Sequence, residues 1–184
     1  MKTKSIIIGL GIAAGLVVLY GSFALLRADD RPPLSREHTT HISTTCEGAQ
    51  VSLRQLHRSD ASLRVNRGQL YEHIGVQLMA RLNGRIALNQ LDVGELVAIT
   101  ARYDQQLTNF RSSYKTYEET LSATLNMTCR ERPEEFYYSV RTAREQRRAV
   151  YRDIAALNET MERYHEEFGR FALGYGVTVG GYYD

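Results

Sequence analysis

Residues 96–125 read LVAITARYDQQLTNFRSSYKTYEETLSATL, and the spacing of their apolar side chains decides the fold class. Leu96, Tyr103, Leu107, Phe110, Tyr114, Tyr117, Leu121 and Leu125 recur at steps of three, four or seven. Such steps keep one face of a helix apolar and exclude the alternation of a strand. Asp92 followed by Glu95 offers an N-terminal cap, so the spacing predicts a helix over about 93–128.

Both flanks repeat the pattern. Toward the N-terminus, Leu53, Leu56, Leu63, Leu70 and Ile74 form a similar seam that continues to Leu78 and Leu82 after a slip in phase. Thr44 and Glu47 have the spacing of a capping box, which predicts a helix over about 45–84, with a break from Gly84 to Gln90. Toward the C-terminus, Pro133 and the acidic pair Glu134-Glu135 suit a first helical turn. Phe136, Val140, Ala143, Arg147, Val150, Ile154, Leu157, Met161, Tyr164, Phe168 and Phe171 then carry an unbroken seam to residue 171. Three long helices joined by short connections must run up, down and up. The predicted fold is all-α, an antiparallel, coiled-coil-like three-helix bundle over residues 46–171.

The chain has two cysteines, Cys46 and Cys129. If they lie level on the first two helices, the hairpin between those helices falls near residue 88, inside the break already drawn. A Cys46–Cys129 disulfide closing the bundle is therefore predicted, worth about 4 kcal/mol on the loop-entropy model. The same register sets Arg147 of the third helix beside Asp60, near Tyr114. Both charges sit on seams, where each alone is costly, so they are expected to form a buried ion pair that fixes register. Arg67 projects onto Asp153, with Asp104 as the other candidate partner.

Outside the bundle the chain changes character. Residues 5–26, SIIIGLGIAAGLVVLYGSFALL, contain no charge over 22 positions, enough to cross a hydrocarbon layer of about 30 Å. Lys2 and Lys4 precede this run, which predicts a transmembrane signal anchor over 1–27 with a cytoplasmic N-terminus and an extracytoplasmic bundle. A signal peptide cleaved after Ala24 is the alternative. The lipid bilayer is thus an expected partner, and Gly11 with Gly15 would let two spans pack as a homo-oligomer. Residues 28–45, with Pro32-Pro33, read as a spacer. Residues 172–184, ALGYGVTVGGYYD, read as a Gly/Tyr-rich tail in which Tyr175, Val177, Val179, Tyr182 and Tyr183 suit strand addition to a partner.

Composition argues against several activities. The 184 residues carry 23 Lys+Arg against 21 Asp+Glu. Five of those bases and three of those acids fall within the first 37 residues, so the remainder is neutral at 18 against 18. No basic face for nucleic acid is expected. His38 and His41 lack further donors for a metal, and Glu134-Glu135 and Glu166-Glu167 point to different helix sides rather than forming an acid–base pair. No phosphate-binding glycine loop appears. The expectation is a protein with no cofactor, no metal and no catalytic activity.

Cys46, Tyr71, Leu78, Leu82, Phe110, Tyr114, Tyr117 and Leu121, then Cys129, Pro133, Phe136, Ala143-Arg144, Val150 and Asp153, form a pattern over about residues 46–160. This pattern resembles a group of uncharacterised single-pass envelope proteins of ultrasmall candidate-phylum bacteria. The resemblance implies a helical extracytoplasmic domain and no particular activity. Together these readings predict a membrane-anchored envelope scaffold or protein-interaction module. The alternative is a ligand-sensing ectodomain that acts through a separate transmembrane partner, because only four residues precede the span.

Overall fold

The computed structural model describes residues 32–174. Its contacts divide the chain into Met1–Pro33 and Leu34–Asp184, and the description below is of the second unit. The described residues are helical apart from short connections. A first arm is built from α1 (Arg36–Glu72), a π-helical segment (His73–Met79) and α2 (Ala80–Leu88). Helices α3 (Gly94–Leu125) and α4 (Pro133–Gly174) complete an antiparallel three-helix arrangement. Among the described residues no helix is long and apolar enough to cross a membrane. The anchor over 1–27, with Gly11 and Gly15, lies outside them.

The α3–α4 hairpin is the most extensive packing. Every α3 residue from Leu96 to Leu121 named above is buried, and the α4 residues Phe136, Ala143, Val150, Leu157 and Tyr164 are buried against them or their neighbours. Tyr71 and Phe110 meet edge to face with ring centroids 5.8 Å apart, which brings α1 onto the same aromatic core.

The first arm differs from its prediction in three ways. Helix α1 starts at Arg36, so residues 36–45 are helix rather than spacer. Ser35 caps it by accepting from the His38 amide at 3.3 Å, and the Leu34 amide donates to Glu134 Oε1 at 3.0 Å. Thr44 heads no capping box: its hydroxyl bonds back to the carbonyls of Thr40 and His41 inside the helix. Gly84 does not break the arm, because burial of Asn83 and Ile86 outweighs a glycine cost of about 1 kcal/mol. The chain reverses only after Leu88, with Gln90 in the left-handed region at φ 59°. The smaller differences lie at the other ends. Asp92 accepts from the Gly94 amide at 3.0 Å one residue ahead of the α3 cap, and α4 runs to Gly174 with Ala172 buried.

The third difference is rotational. Leu63, Leu70 and Leu78, assigned to the seam, remain 50%, 45% and 54% exposed. The face turned inward carries Cys46, Gln50, Asp60, Tyr71, Gly75, Met79, Asn83 and Ile86, with Leu53, Ile74 and Leu82 of the predicted seam packed partly buried against the core beside it. The slip in phase between Ile74 and Leu78 is the π segment, where the backbone ladder shifts to bonds such as Ala80 N–H to the Gly75 carbonyl. Gly75 suits this close approach, since a Cβ would lie 3.2 Å from Tyr103 Cε1 and 3.3 Å from Asp104 Oδ1, tighter than an ordinary contact.

Cys46 and Cys129 are joined, with Cα atoms 6.0 Å apart, and tie the start of the first arm to the α3–α4 connection. Cys46→Ser in the full chain is expected to lower unfolding free energy by about 4 kcal/mol in urea titration and to abolish the mobility difference between reducing and non-reducing gels. An unchanged urea midpoint would show that the bond adds no constraint.

Candidate functional site

The most distinctive chemistry lies at mid-bundle. Asp60 projects from α1 toward α4, and Arg147 grips its carboxylate with two bonds, Nε to Oδ2 at 2.6 Å and an Nη to Oδ1 at 2.8 Å. The α3 hydroxyl that joins them belongs to Tyr117, not Tyr114, and donates to Asp60 Oδ2 at 2.6 Å. All three helices therefore meet at one carboxylate. The side chain of Asp60 is 9% exposed and that of Arg147 is 30% exposed. Burial by itself would raise the Asp60 pKa, but the bonds from Arg147 and Tyr117 outweigh it and hold the carboxyl below its ordinary 3.8. Burial, then the bond to Asp60, pushes the Tyr117 phenol well above its ordinary value, so it remains a donor.

Other polar contacts fasten the first arm above and below this point. Gln50 donates to the Met127 carbonyl at 2.9 Å, His57 lies 3.2 Å from Glu118, and Glu47 and Glu72 pair with Arg130 and Arg111. Around the π segment, the Tyr103 hydroxyl donates to the Tyr71 carbonyl at 3.0 Å. Farther along, the Tyr164 hydroxyl donates to Asn83 Oδ1 at 2.7 Å, and Asn83 Nδ2 donates to Thr100 Oγ1 at 2.8 Å. Burial pushes the Tyr164 phenol up to about 12, so it too stays protonated.

Between Asp60 and Tyr71 no residue of α1 is buried, and a cleft of about 260 Å³ opens between α1 and α4, floored by α3. Its walls include Tyr71, Phe110, Tyr114, Val150 and Tyr151, and the Asp60–Arg147 pair closes one end. Arg64 lies over the Tyr114 ring at 5.2 Å and Arg147 over Tyr151 at 5.0 Å. Arg67 also lines the cleft, but it pairs with neither Asp153 nor Asp104. Asp153 keeps one buried carboxylate oxygen without a hydrogen-bond partner. A second groove farther along the same seam is lined by Ile74, Leu78, Leu82, Met161 and Phe168.

Nothing in the sequence periodicity pointed to this cleft. The signal that could have found it was the stretch Leu63 to Arg67, whose arginines Arg64 and Arg67 sit one turn apart beside an apolar residue. His38 and His41 lie on exposed helix, and no group of three metal-ligating side chains occurs among the described residues. Tyr175, Val177, Val179, Tyr182 and Tyr183 of the tail lie outside the described residues. Compared with known proteins, the chain matches no family model, no curated protein and no solved structure.

Two outcomes follow from the three-helix junction. Arg147→Met is expected to cost about 3 kcal/mol of stability, because it leaves Asp60 charged and unpaired, whereas Asp60→Asn should cost less because a partly exposed Arg147 can reach water. The triple variant Asp60→Leu/Tyr117→Phe/Arg147→Met, which leaves no polar atom stranded, should recover most of the loss in urea denaturation. The second outcome concerns pH. A depressed carboxyl pKa adds stability that is present above the unfolded value near 3.8 and is lost as pH falls through the folded value. The stability gap between wild type and Asp60→Asn should therefore shrink as acid unfolding is followed below pH 3.8.

Proposed function

We propose that this chain is a non-catalytic interaction module of a cell envelope, held by a membrane anchor over residues 1–27 with its N-terminus cytoplasmic and its bundle outside. The uncharged run at 5–26 behind Lys2 and Lys4 supports the anchor and the bilayer as partner. A disulfide between the chain's two cysteines suits an oxidising exterior. The resemblance over residues 46–160 supports the same placement.

The observation that carries the interaction role is the half-filled seam between the first arm and α4. Leu63, Leu70 and Leu78 stand largely exposed on the arm, with Tyr151 50% exposed across the groove on α4. A solvated surface has no use for such an apolar line, and a helix from a partner protein, or from a second copy in a homo-oligomer, would bury it. The tail residues Tyr175 to Tyr183 would add a second contact of strand type. A second reading, a ligand-sensing ectodomain acting through a separate transmembrane partner, is favoured by the 260 Å³ cleft.

Placement and role are tested together. Fused after Asp184, alkaline phosphatase should be active and green fluorescent protein dark; the reverse pattern would put the bundle in the cytoplasm. A photo-crosslinking residue at Leu63 or Leu78 should then give discrete adducts in cells, and one at the exposed Arg102 on α3 should not. Equal adducts at all three positions would remove the seam as the contact surface.

A further inference from the structure

The geometry points to the mid-bundle cleft as a binding site for a small amphipathic anion, a compact apolar ring system or short acyl body carrying one carboxylate or sulfonate head. This deepens the ligand-sensing reading and is independent of where the bundle resides.

Three observations converge on that chemistry. The first is shape. About 260 Å³ exceeds the roughly 150 Å³ that holds a benzene ring in an apolar cavity, and falls just short of the roughly 300 Å³ at which drug-sized sites begin. A two-ring or short-chain body fits such a space. The second is wall chemistry: Tyr71, Phe110, Tyr114 and Tyr151 line the cleft with aromatic surface, Arg64 and Arg147 each covering one ring face, on Tyr114 and Tyr151, and leaving ring edges for an apolar group. The third is charge. Three arginines line the cleft against one carboxylate, and that carboxylate is fully engaged by Arg147 and Tyr117. Arg64 and Arg67, one turn apart on the exposed rim of α1, have no salt bridge among the described residues. Two guanidinium groups at the mouth of an aromatic cleft match an anionic head on an apolar body, because a planar carboxylate takes guanidinium donors in pairs.

The cleft is held open rather than left over. Asp60 is pinned by Arg147 and Tyr117, and Tyr71 is pinned by the Tyr103 hydroxyl and the Phe110 ring edge. The three turns of α1 between those pins cannot collapse onto α3 without breaking one of them.

The test uses the full chain in detergent micelles. The protein has 12 tyrosines and no tryptophan, so its ultraviolet emission reports the cleft walls among them. Quenching is titrated with 2-naphthoate and with its uncharged counterpart 2-naphthalenemethanol. Wild type is expected to bind the naphthoate about tenfold more tightly, as one charge-assisted contact would provide. Arg64→Gln/Arg67→Gln, on exposed positions that leave folding intact, should erase that preference. Ile154→Phe, which fills the apolar part, should weaken both probes. Equal quenching by the two probes in wild type and all variants, the signature of partition into micelles, would overturn the proposal, as would a preference for naphthoate that survives loss of both arginines. Neither result would touch the fusion reporters or the crosslinks at Leu78, so the envelope reading stands or falls separately.

Discussion

One buried carboxylate sets the geometry of the bundle. Asp60 cannot keep its charge away from water unless cations and donors converge on it, and the converging groups come from two different helices, Arg147 on α4 and Tyr117 on α3. That requirement fixes both the height and the rotation of α1. Once Asp60 points inward, Leu63 and Leu70 must point sideways, and the wall of the mid-bundle cleft follows. The same junction that stabilises the first helix thus leaves its leucines short of burial.

The α3–α4 hairpin obeys a different logic. It is held by area, through continuous heptad seams of leucine, phenylalanine and tyrosine, and needs no special contact to stay together. Its tyrosines also carry hydroxyls to the first arm. Tyr103 and Tyr164 bond to Tyr71 and Asn83 on either side of the π segment, where the backbone ladder is out of step and polar groups want partners. The first arm is therefore held on the aromatic surface by Tyr71, Met79 and Ile86 in the shared core, by one disulfide and by a series of polar bonds. A groove at such a clasped edge is a natural place for a partner or ligand, because opening it sacrifices little core.

How far the sequence could be read depends on which helix is considered. In α3 and α4 the apolar repeat is dense and the buried faces follow it, widened by off-seam residues such as Ile99, Tyr138 and Thr160. In the first arm the apolar repeat is interrupted by polar residues, and the stripe through Leu63, Leu70 and Leu78 lies a fraction of a turn away from the one that Gln50, Asp60 and Tyr71 occupy. Polar residues outvoted leucines there, which no hydrophobic period can register. The early start of α1 was missed for a related reason: residues 36–45 are threonine- and histidine-rich, and their helix rests on the Ser35 cap and on continuity with the packed turns that follow. The π segment did leave a trace, as the slip between Ile74 and Leu78.

By itself the sequence determined the helical class, the three-arm order, the level at which Cys46 meets Cys129, and the proximity of Asp60 to Arg147. All four follow from periodicity and from lengths along a rigid rod, which are local properties. Only the tertiary structure decided that Tyr117 completes the junction, that Leu63, Leu70 and Leu78 of the first arm stay exposed, and that Arg64 and Arg67 share an aromatic cleft without a salt bridge of their own. These depend on how three rods rotate against one another. Rotation is settled by the costs of burying particular polar groups, and those costs exist only once the helices are in contact.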